Sequence, residues 1–232
     1  MKAPRPQSLA EGIYQALKDE IWRFALLPGD RFSEGDVAQR LNVSRTPVRQ
    51  ALHRLEREGY VEVHFKSGWQ VRLLDFAEVD DLYDVRIVLE RAAIEKLCNC
   101  ESEKAQHALT ELCAIWCVPE AQRLTDGAVV ADLDEAFHCA LVAATGNREM
   151  ARVHQQISER IRILRRLDFT ATHRIEMTYA EHEKILTKIV ASQNLDAQRL
   201  LQGHIEVSKA QVRTLTLNRL EEARAPIHAT GT

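Results

Sequence analysis

Four side chains in the second half of this 232-residue chain have the types and spacing of a metal-binding set. Asp134 and His138 are four residues apart, so a helix running through them presents both on one face, and Leu141 continues that face. His182 falls on an apolar stripe with Ile175, Ile185 and Ile189, which should point inward. His204 follows Leu200 and Leu201 on the last long helical pattern. Three imidazoles and one carboxylate from three helices can hold a divalent ion. Neutral imidazole suits Zn, Ni, Fe or Cu, and a carboxylate admits Mn as well. No cysteine takes part, so coordination positions can stay open, unlike those of a closed structural zinc site. Spacing alone also allows each of these histidines to be an isolated core or surface residue. His107, His154 and His173 show how readily the residue occurs in this chain.

A second kind of chemistry sits near the N-terminus. Ser44 is suited to cap a helix, its hydroxyl accepting from an orphan backbone N–H, and Pro47 fits the first turn that follows. Arg45, Thr46 and Arg49 crowd that same turn. A helix that opens with Arg and small hydroxyl side chains suits entry into the DNA major groove, N-terminus first. Lys66, Ser67 and Gly68 form a turn between two alternating β-runs, Tyr60–Phe65 and Trp69–Leu73, whose tip can reach the minor groove. Arg31 and Arg40 are candidates for backbone phosphates.

The elements that must position these groups fall into two sets. Residues 1–7 read as a flexible polar tail. From Ser8 to about Leu26, Leu9, Ile13, Ala16, Leu17, Ile21 and Phe24 recur at helical spacing, and Pro28-Gly29-Asp30 turns the chain. A short helix capped by Ser33 buries Val37, Ala38 and Leu41. The helix after Ser44 buries Val48, Ala51, Leu52 and Leu55 and stops at Gly59. With the β-hairpin, residues 8–74 make a winged helix-turn-helix. After Asp75-Phe76 the chain reads as helix throughout, about 76–98, 102–117, 127–145, 147–167, 173–192 and 194–222. Pro119, Gly146-Asn147 and Asn194 lie among the breaks. Residues 75–222 therefore form an all-α antiparallel bundle, and 223–232 a flexible tail. The fold class is mainly α.

Net charge is −3, but it is unevenly distributed. Residues 1–74 carry 12 Lys/Arg against 9 Asp/Glu, and the remainder 19 against 25. The basic excess lies with the helix-turn-helix pattern, as DNA binding requires. No apolar run reaches membrane-spanning length, and the N-terminus has no apolar signal core. Five cysteines with no CxxC pair argue against a disulfide framework and fit a reducing, cytoplasmic setting.

The run PGDRFSEGDVAQRLNVSRTPVRQALHRLEREGYVEV resembles the winged helix of GntR-family transcription regulators, over about residues 8–74. One departure is Gly35, where some relatives carry an Arg that contacts DNA. DLYDVRIVLE, DLDEAFHCALVAATGN, EHEKILTKIV and the late His204 resemble the FCD ligand-binding domain of the FadR-type branch, over about residues 76–220. The six-helix count is similar to the shorter, VanR-like form. The resemblance implies that Asp134, His138, His182 and His204 bind a divalent metal (Zn, Ni, Mn or Fe). It also implies a homodimer on palindromic double-stranded operator DNA, and a repressor released by a small carboxylic acid.

Arg86 lies on the stripe Leu82–Arg86–Leu89–Ala93–Leu97, so its guanidinium should point inward, which is costly unless paired. It can pair with Glu90 or grip a ligand carboxylate bidentately. The resemblance places an effector-binding Arg at this position. Arg162 and Tyr83 are further effector-binding candidates.

Two other functions are open to the chain, the first through the same three His and one Asp. A metallohydrolase would draw its water from the metal and needs a general base, for which Glu181 is nearest in sequence. A thiol sensor would use Cys98, Cys100, Cys113 or Cys117. A disulfide between Cys113 and Cys117 on one helix face fits poorly and constrains little.

Overall fold

The computed structural model describes residues 8–23, 25–64, 68–73, 75–100, 102–169 and 172–224, without the side chains of Ile163, Arg166, Leu167, Thr172 and 219–224. The expected tail 1–7 and residues 225–232 of the expected C-terminal tail, as well as Phe24, Phe65, Lys66 and Ser67, lie outside the described residues, whereas 223 and 224, read from the sequence as tail, continue the last helix. The chain divides into two compact units, one ending at Asp75 and taking in the residues from Leu217, the other spanning Phe76–Thr216. Among the described residues, no helix is long and apolar enough to cross a membrane.

The first unit starts with α1 (Leu9–Trp22), whose N-cap Ser8 accepts from Glu11 N. Its buried face is Ile13, Tyr14, Leu17 and Ile21, while Leu9, expected on that face, is exposed in the first turn. Strand β1 (Arg31–Phe32) leads into α2 (Glu34–Leu41). A full capping box starts α2: Ser33 Oγ accepts from Asp36 N, and Asp36 accepts from Ser33 N. Asn42 ends it in the left-handed region at φ 53°, a conformation Asn tolerates well. Then α3 (Arg45–Arg57) buries Val48, Ala51, Leu52 and Leu55. The hairpin is β2 (Val61–His64) and β3 (Gly68–Val71), antiparallel, with Val63 opposite Trp69.

Strand β1 has no counterpart in the sequence reading. It pairs with the other edge of β3, giving the order β1-β3-β2. Two residues are too short for a visible period. Gly68 shows the cost of this arrangement. Its φ is +91°, and a Cβ there would come within 2.7 Å of Phe32 O. Only glycine lets β1 lie so close.

The second unit is helical: α4 (Phe76–Cys98), α5 (Glu103–Trp116), α6 (Gly127–Ala144), α7 (Arg148–Asp168), α8 (Thr172–Val190) and α9 (Asn194–Arg224) as far as Thr216. A 3-10 turn at Glu120–Gln122 follows Pro119. Asp126 caps α6 by accepting from Ala128 N and Val129 N. Gly127 leaves room for the Phe169 carbonyl, which a Cβ would meet at 2.2 Å. The apolar core includes Ile94, Trp116, Phe137, Leu141, Tyr179, Ile185 and Leu201, each at 0–1 % exposure. Set into it is a large polar group: Arg86, Glu90, Asp134, His138, His154, Arg165, Asp168, Arg174, His182, His204 and Ser208 are all buried. Buried charge on this scale is costly unless paired or metal-bound.

Candidate functional site

The four sequence-predicted ligands come together. Asp134 and His138 project from α6, His182 from α8 and His204 from α9, all buried, with one donor atom of each within 4.8 Å of the others. His138 Nε2 lies 3.2 Å from His204 Nε2, and His182 Nε2 lies 3.3 Å from it. Asp134 Oδ1 is 3.2 Å from His182 Nε2, 3.7 Å from His138 Nε2 and 3.8 Å from His204 Nε2. Ligands about 2.0–2.1 Å from a tetrahedral ion stand roughly 3.3–3.4 Å apart, and the separations of 3.2–3.8 Å lie near that value.

The outer contacts set the protonation. His138 Nδ1 meets Glu90 Oε2 at 2.6 Å, and His204 Nδ1 meets Glu181 Oε2 at 2.7 Å. A carboxylate only accepts, so each Nδ1 donates and each Nε2 turns its lone pair inward, as a metal-bound histidine requires. Burial, with the Arg86 charge, pulls His138 down to about 4, and burial drives His182 well below its usual value. Both are neutral at pH 7. Two facing lone pairs at 3.2 Å repel unless a cation lies between them. Asp134 Oδ1 makes no hydrogen bond although fully buried. Leaving such an atom unsatisfied costs about 1–3 kcal/mol. The donor set fits a divalent ion of the Zn, Ni, Mn or Fe type.

His182 is positioned differently. Its Nδ1 has no hydrogen-bond partner, and its ring stacks on Phe137 at 3.7 Å and 11°, with the Trp116 ring edge-on at 4.2 Å. Packing alone holds this ligand.

Glu90 is the hub behind the ligands. It accepts from His138, from His154 Nε2 at 2.9 Å and from Arg86 Nε at 2.7 Å. Burial alone would raise its carboxyl. The contacts with His138, the Arg86 charge and the hydrogen bond from His154 outweigh burial and hold it well below the usual range. Burial lowers His154, but hydrogen bonds to Cys139 and Glu90 win, raising it to about 9.

Of the effector-binding candidates, Arg86 is buried as its stripe predicts, with Nε paired to Glu90. Tyr83 is fully buried. Arg162 is committed elsewhere, to both carboxylate oxygens of Glu135 at 2.6–3.1 Å. The arginine that reaches the ligand set is Arg165, three residues on, whose Nη2 donates to Asp134 Oδ2. Sequence reasoning missed it, although a signal existed. His154, Ile157, Ser158, Ile161, Leu164, Arg165 and Asp168 follow the helical repeat of the buried side of α7, and Arg162 stands one position off. Arg174 was also missed. It is buried and bonds Asp168 and Glu181.

Glu181 does not suit a general base. Bonds from His204 and Arg174 overcome burial and hold it at about 2. Cys117 does not suit a thiolate sensor either. Desolvation and the neighbouring Cys113 push Cys117 up to about 12, which leaves little thiolate at neutral pH.

On the winged unit, Ser44, Arg45, Thr46 and Arg49 form one exposed face at the start of α3. Ser44 occupies the N-cap position at φ −75° and ψ 160°, but its hydroxyl makes no capping bond. Arg45 lies across α2, where a Cβ on Gly35 would stand 3.3 Å from its guanidinium. The missing side chain at Gly35 is what makes room for Arg45. Arg49 is held by Glu34 through Nε and Nη2 at 2.8–3.1 Å. Arg31 is exposed on β1, Arg40 pairs with Glu20 at 2.8 Å, and Gly68 can offer a ligand only its backbone.

Residues 81–207 match the model of the FCD domain, and residues 9–71 that of the bacterial regulatory proteins of the gntR family. The chain is 30% identical over 179 residues to the Nta operon transcriptional regulator of Aminobacter aminovorans, covering 77% of this chain and 82% of that protein. It is 26% identical over 203 residues to the HTH-type transcriptional regulator YdhC of Bacillus subtilis (strain 168), covering 88% and 90%. Among solved structures, E. coli McbR/YncC superposes with a TM-score of 0.63 at 20% identity, over 89% of this chain and 98% of that one. A GntR-type regulator from Rhodococcus sp. RHA1 gives 0.62 at 23%, over 89% and 98%. The chain belongs to the GntR family of transcriptional regulators, with an FCD domain following its DNA-binding domain.

Proposed function

We propose that this regulator is a cytoplasmic homodimer that binds a palindromic operator through α3 and releases it when a small organic acid enters a metal-containing pocket of the helical unit. The observation that carries this reading is Asp134 Oδ1, buried and unbonded, among three imidazole nitrogens whose opposite faces are packed or tied to carboxylates. Asp134, His138, His182 and His204 would hold the metal, and with open positions it would act as a Lewis acid toward a carboxylate oxygen. Glu90 and Glu181 hold His138 and His204 in the ligating tautomer. Arg86, Arg165 and Arg174 make the interior favourable to an anion. Ser44, Arg45, Thr46 and Arg49 contact bases and phosphates, with Arg31, Lys66, Ser67 and Gly68 at the flanks. Coupling needs a ligand that binds the DNA-competent and DNA-incompetent arrangements with different affinity.

The test is a thermal-melt screen of the purified full-length protein against small carboxylic acids, with and without chelator, combined with operator binding. Ligand that binds only the folded state raises the melting temperature. An acid that stabilises the metal-loaded protein, loses its effect with chelator and weakens operator binding supports the reading. Protein purified and reconstituted with Zn, Ni, Mn and Fe that retains none of them overturns it.

A further inference from the structure

The C-terminal ends of α4 and α8, with one face of α5, enclose a cleft that shares no residue with the buried polar group. Its volume is about 630 Å³, within the range of ligand pockets, roughly 300–1,000 Å³. The floor is apolar, from the buried side chains of Leu97, Leu109 and Ile189. Three of the chain's five cysteines line it: Cys98, Cys100 and Cys113. Among the described residues, its lining carries no charge. A charged ligand would lose its water there and gain no counter-charge, so the cleft suits an uncharged one.

The three thiols differ. Cys98 is buried, its Sγ donates weakly to Ile189 O at 3.9 Å, and burial pushes this thiol up. Cys113 is half-buried on the α5 face. Cys100 is exposed, just before α5 begins. Its Sγ accepts from Ser102 N at 3.4 Å, and Ser102 is the N-cap of that 14-residue helix. Negative charge that develops on this sulfur as it forms a bond meets an N–H donor and the positive end of a helix. Cys100 is therefore the thiol placed to react with what the cleft holds. The polarisable sulfurs of Cys98 and Cys113 join the apolar floor as packing for a flat ring.

We propose that this cleft captures an uncharged, ring-bearing α,β-unsaturated carbonyl compound, with Cys100 as the nucleophile. The ring lies on the apolar floor, and the Gln106 amide and Ser192 hydroxyl, both in the lining, can donate to its carbonyl oxygen. In the addition the Cys100 S–H bond breaks and an S–C bond forms at the β-carbon. The C=C π bond opens, and the thiol proton ends on the α-carbon. No oxidant or reductant takes part. The site stands apart from the metal and from the organic-acid reading above.

The experiment labels the full-length protein with N-phenylacrylamide and, separately, with acrylamide, and reads the rate at Cys100 by peptide mass spectrometry. Glutathione is the reference thiol. The ratio of the two rates cancels the intrinsic reactivity of each thiol and leaves the effect of the ring. The expected ratio at Cys100 exceeds that of glutathione roughly tenfold or more, the gain of a reaction inside a bound complex, and N-phenylacrylamide labelling saturates with concentration. Thr110→Phe fills the cleft from an exposed position of α5, and Gln106→Trp does so one turn earlier on the same face. Whichever variant keeps the wild-type melting temperature is read. It should return the ratio to that of glutathione while acrylamide still labels Cys100. A wild-type ratio equal to that of glutathione overturns the proposal. So does a raised ratio that filling leaves unchanged, since Cys100 is then only an exposed thiol.

Discussion

Glu34 grips Arg49 with both carboxylate oxygens, so the first acidic residue of α2 occupies the guanidinium that α3 would present to DNA under the proposed function. The grip lowers Glu34 and raises Arg49 from their ordinary values. Both ends are solvent-accessible, so the pair adds little stability. Its effect is on binding: Arg49 must leave Glu34, or share it, to reach a base. Glu34→Gln should therefore raise affinity for nonspecific duplex several-fold without shifting the melt, and steepen the salt dependence. Arg49→Ala should abolish operator binding with metal content unchanged. Fluorescence anisotropy across a salt series reads both. An unchanged affinity in Glu34→Gln would mean that the pair places no restraint on Arg49.

A second ionic group ties α1 to the end of α3. Glu58 accepts from Tyr14 Oη at 2.6 Å, Lys18 Nζ at 3.1 Å and Arg54 Nε at 3.1 Å. Burial would raise Glu58, but the hydrogen bonds from Tyr14 and Lys18 prevail and lower it. A carboxyl depressed in the folded state contributes stability above its unfolded pKa, about 4.3, and loses it as pH falls through the folded value. The winged unit should thus lose stability below about pH 4.3, and Glu58→Gln should flatten that loss while lowering the melt by a few degrees at pH 7. Circular dichroism melts between pH 3 and 7 measure it. A variant whose acid profile overlays the wild type would remove Glu58 from the account.

Glu90 combines two roles, and the variant Glu90→Gln separates them. Loss of a carboxylate behind a metal-bound histidine commonly costs ten- to a hundredfold in metal affinity, so about that drop is expected in a competition assay with a chromophoric chelator. The same change leaves Arg86 and His154 without their buried counter-charge, which costs about 3–5 kcal/mol of stability. The metal-free protein should melt lower as well. A variant that binds metal normally and melts lower would make Glu90 a purely structural partner of Arg86.

The helices of both units were legible because their apolar periods are long and their breaks fall at Pro119, Gly146 and Asn194. The clustering of Asp134, His138, His182 and His204 was legible because Asp134 and His138 share a helix face and His182 and His204 interrupt apolar stripes. Other parts were not. β1 is too short to carry a period, and its presence depends on Gly68 lacking a Cβ. Arg162 and Arg165 are one turn apart, and only the helix phase separates the one bound to Glu135 from the one on Asp134. Glu181 reads as a possible base until Arg174 and His204 are seen to hold it ionised. Pairings across helices are set by packing, which no single stripe encodes.

Trp116 would make metal binding at the proposed site observable without modification. Its ring lies 4.2 Å from that of His182 and 5.9 Å from Phe137, on which His182 stacks. The other two tryptophans, Trp22 and Trp69, are in the winged unit. A paramagnetic ion such as Ni at the nitrogens of His138, His182 and His204 should quench Trp116 and leave the others unchanged. Titration of chelator-treated protein should give saturable quenching that Trp116→Phe abolishes. Because the metal binds the folded state, saturation should also raise the melt, by about 2.7 kcal/mol of stability at a hundred times Kd. His182→Ala should lose both signals. Since no outer carboxylate holds its Nδ1, this substitution breaks no buried ion pair behind the ring, and the apo protein should keep its helix content. Quenching that persists in His182→Ala would place the ion elsewhere.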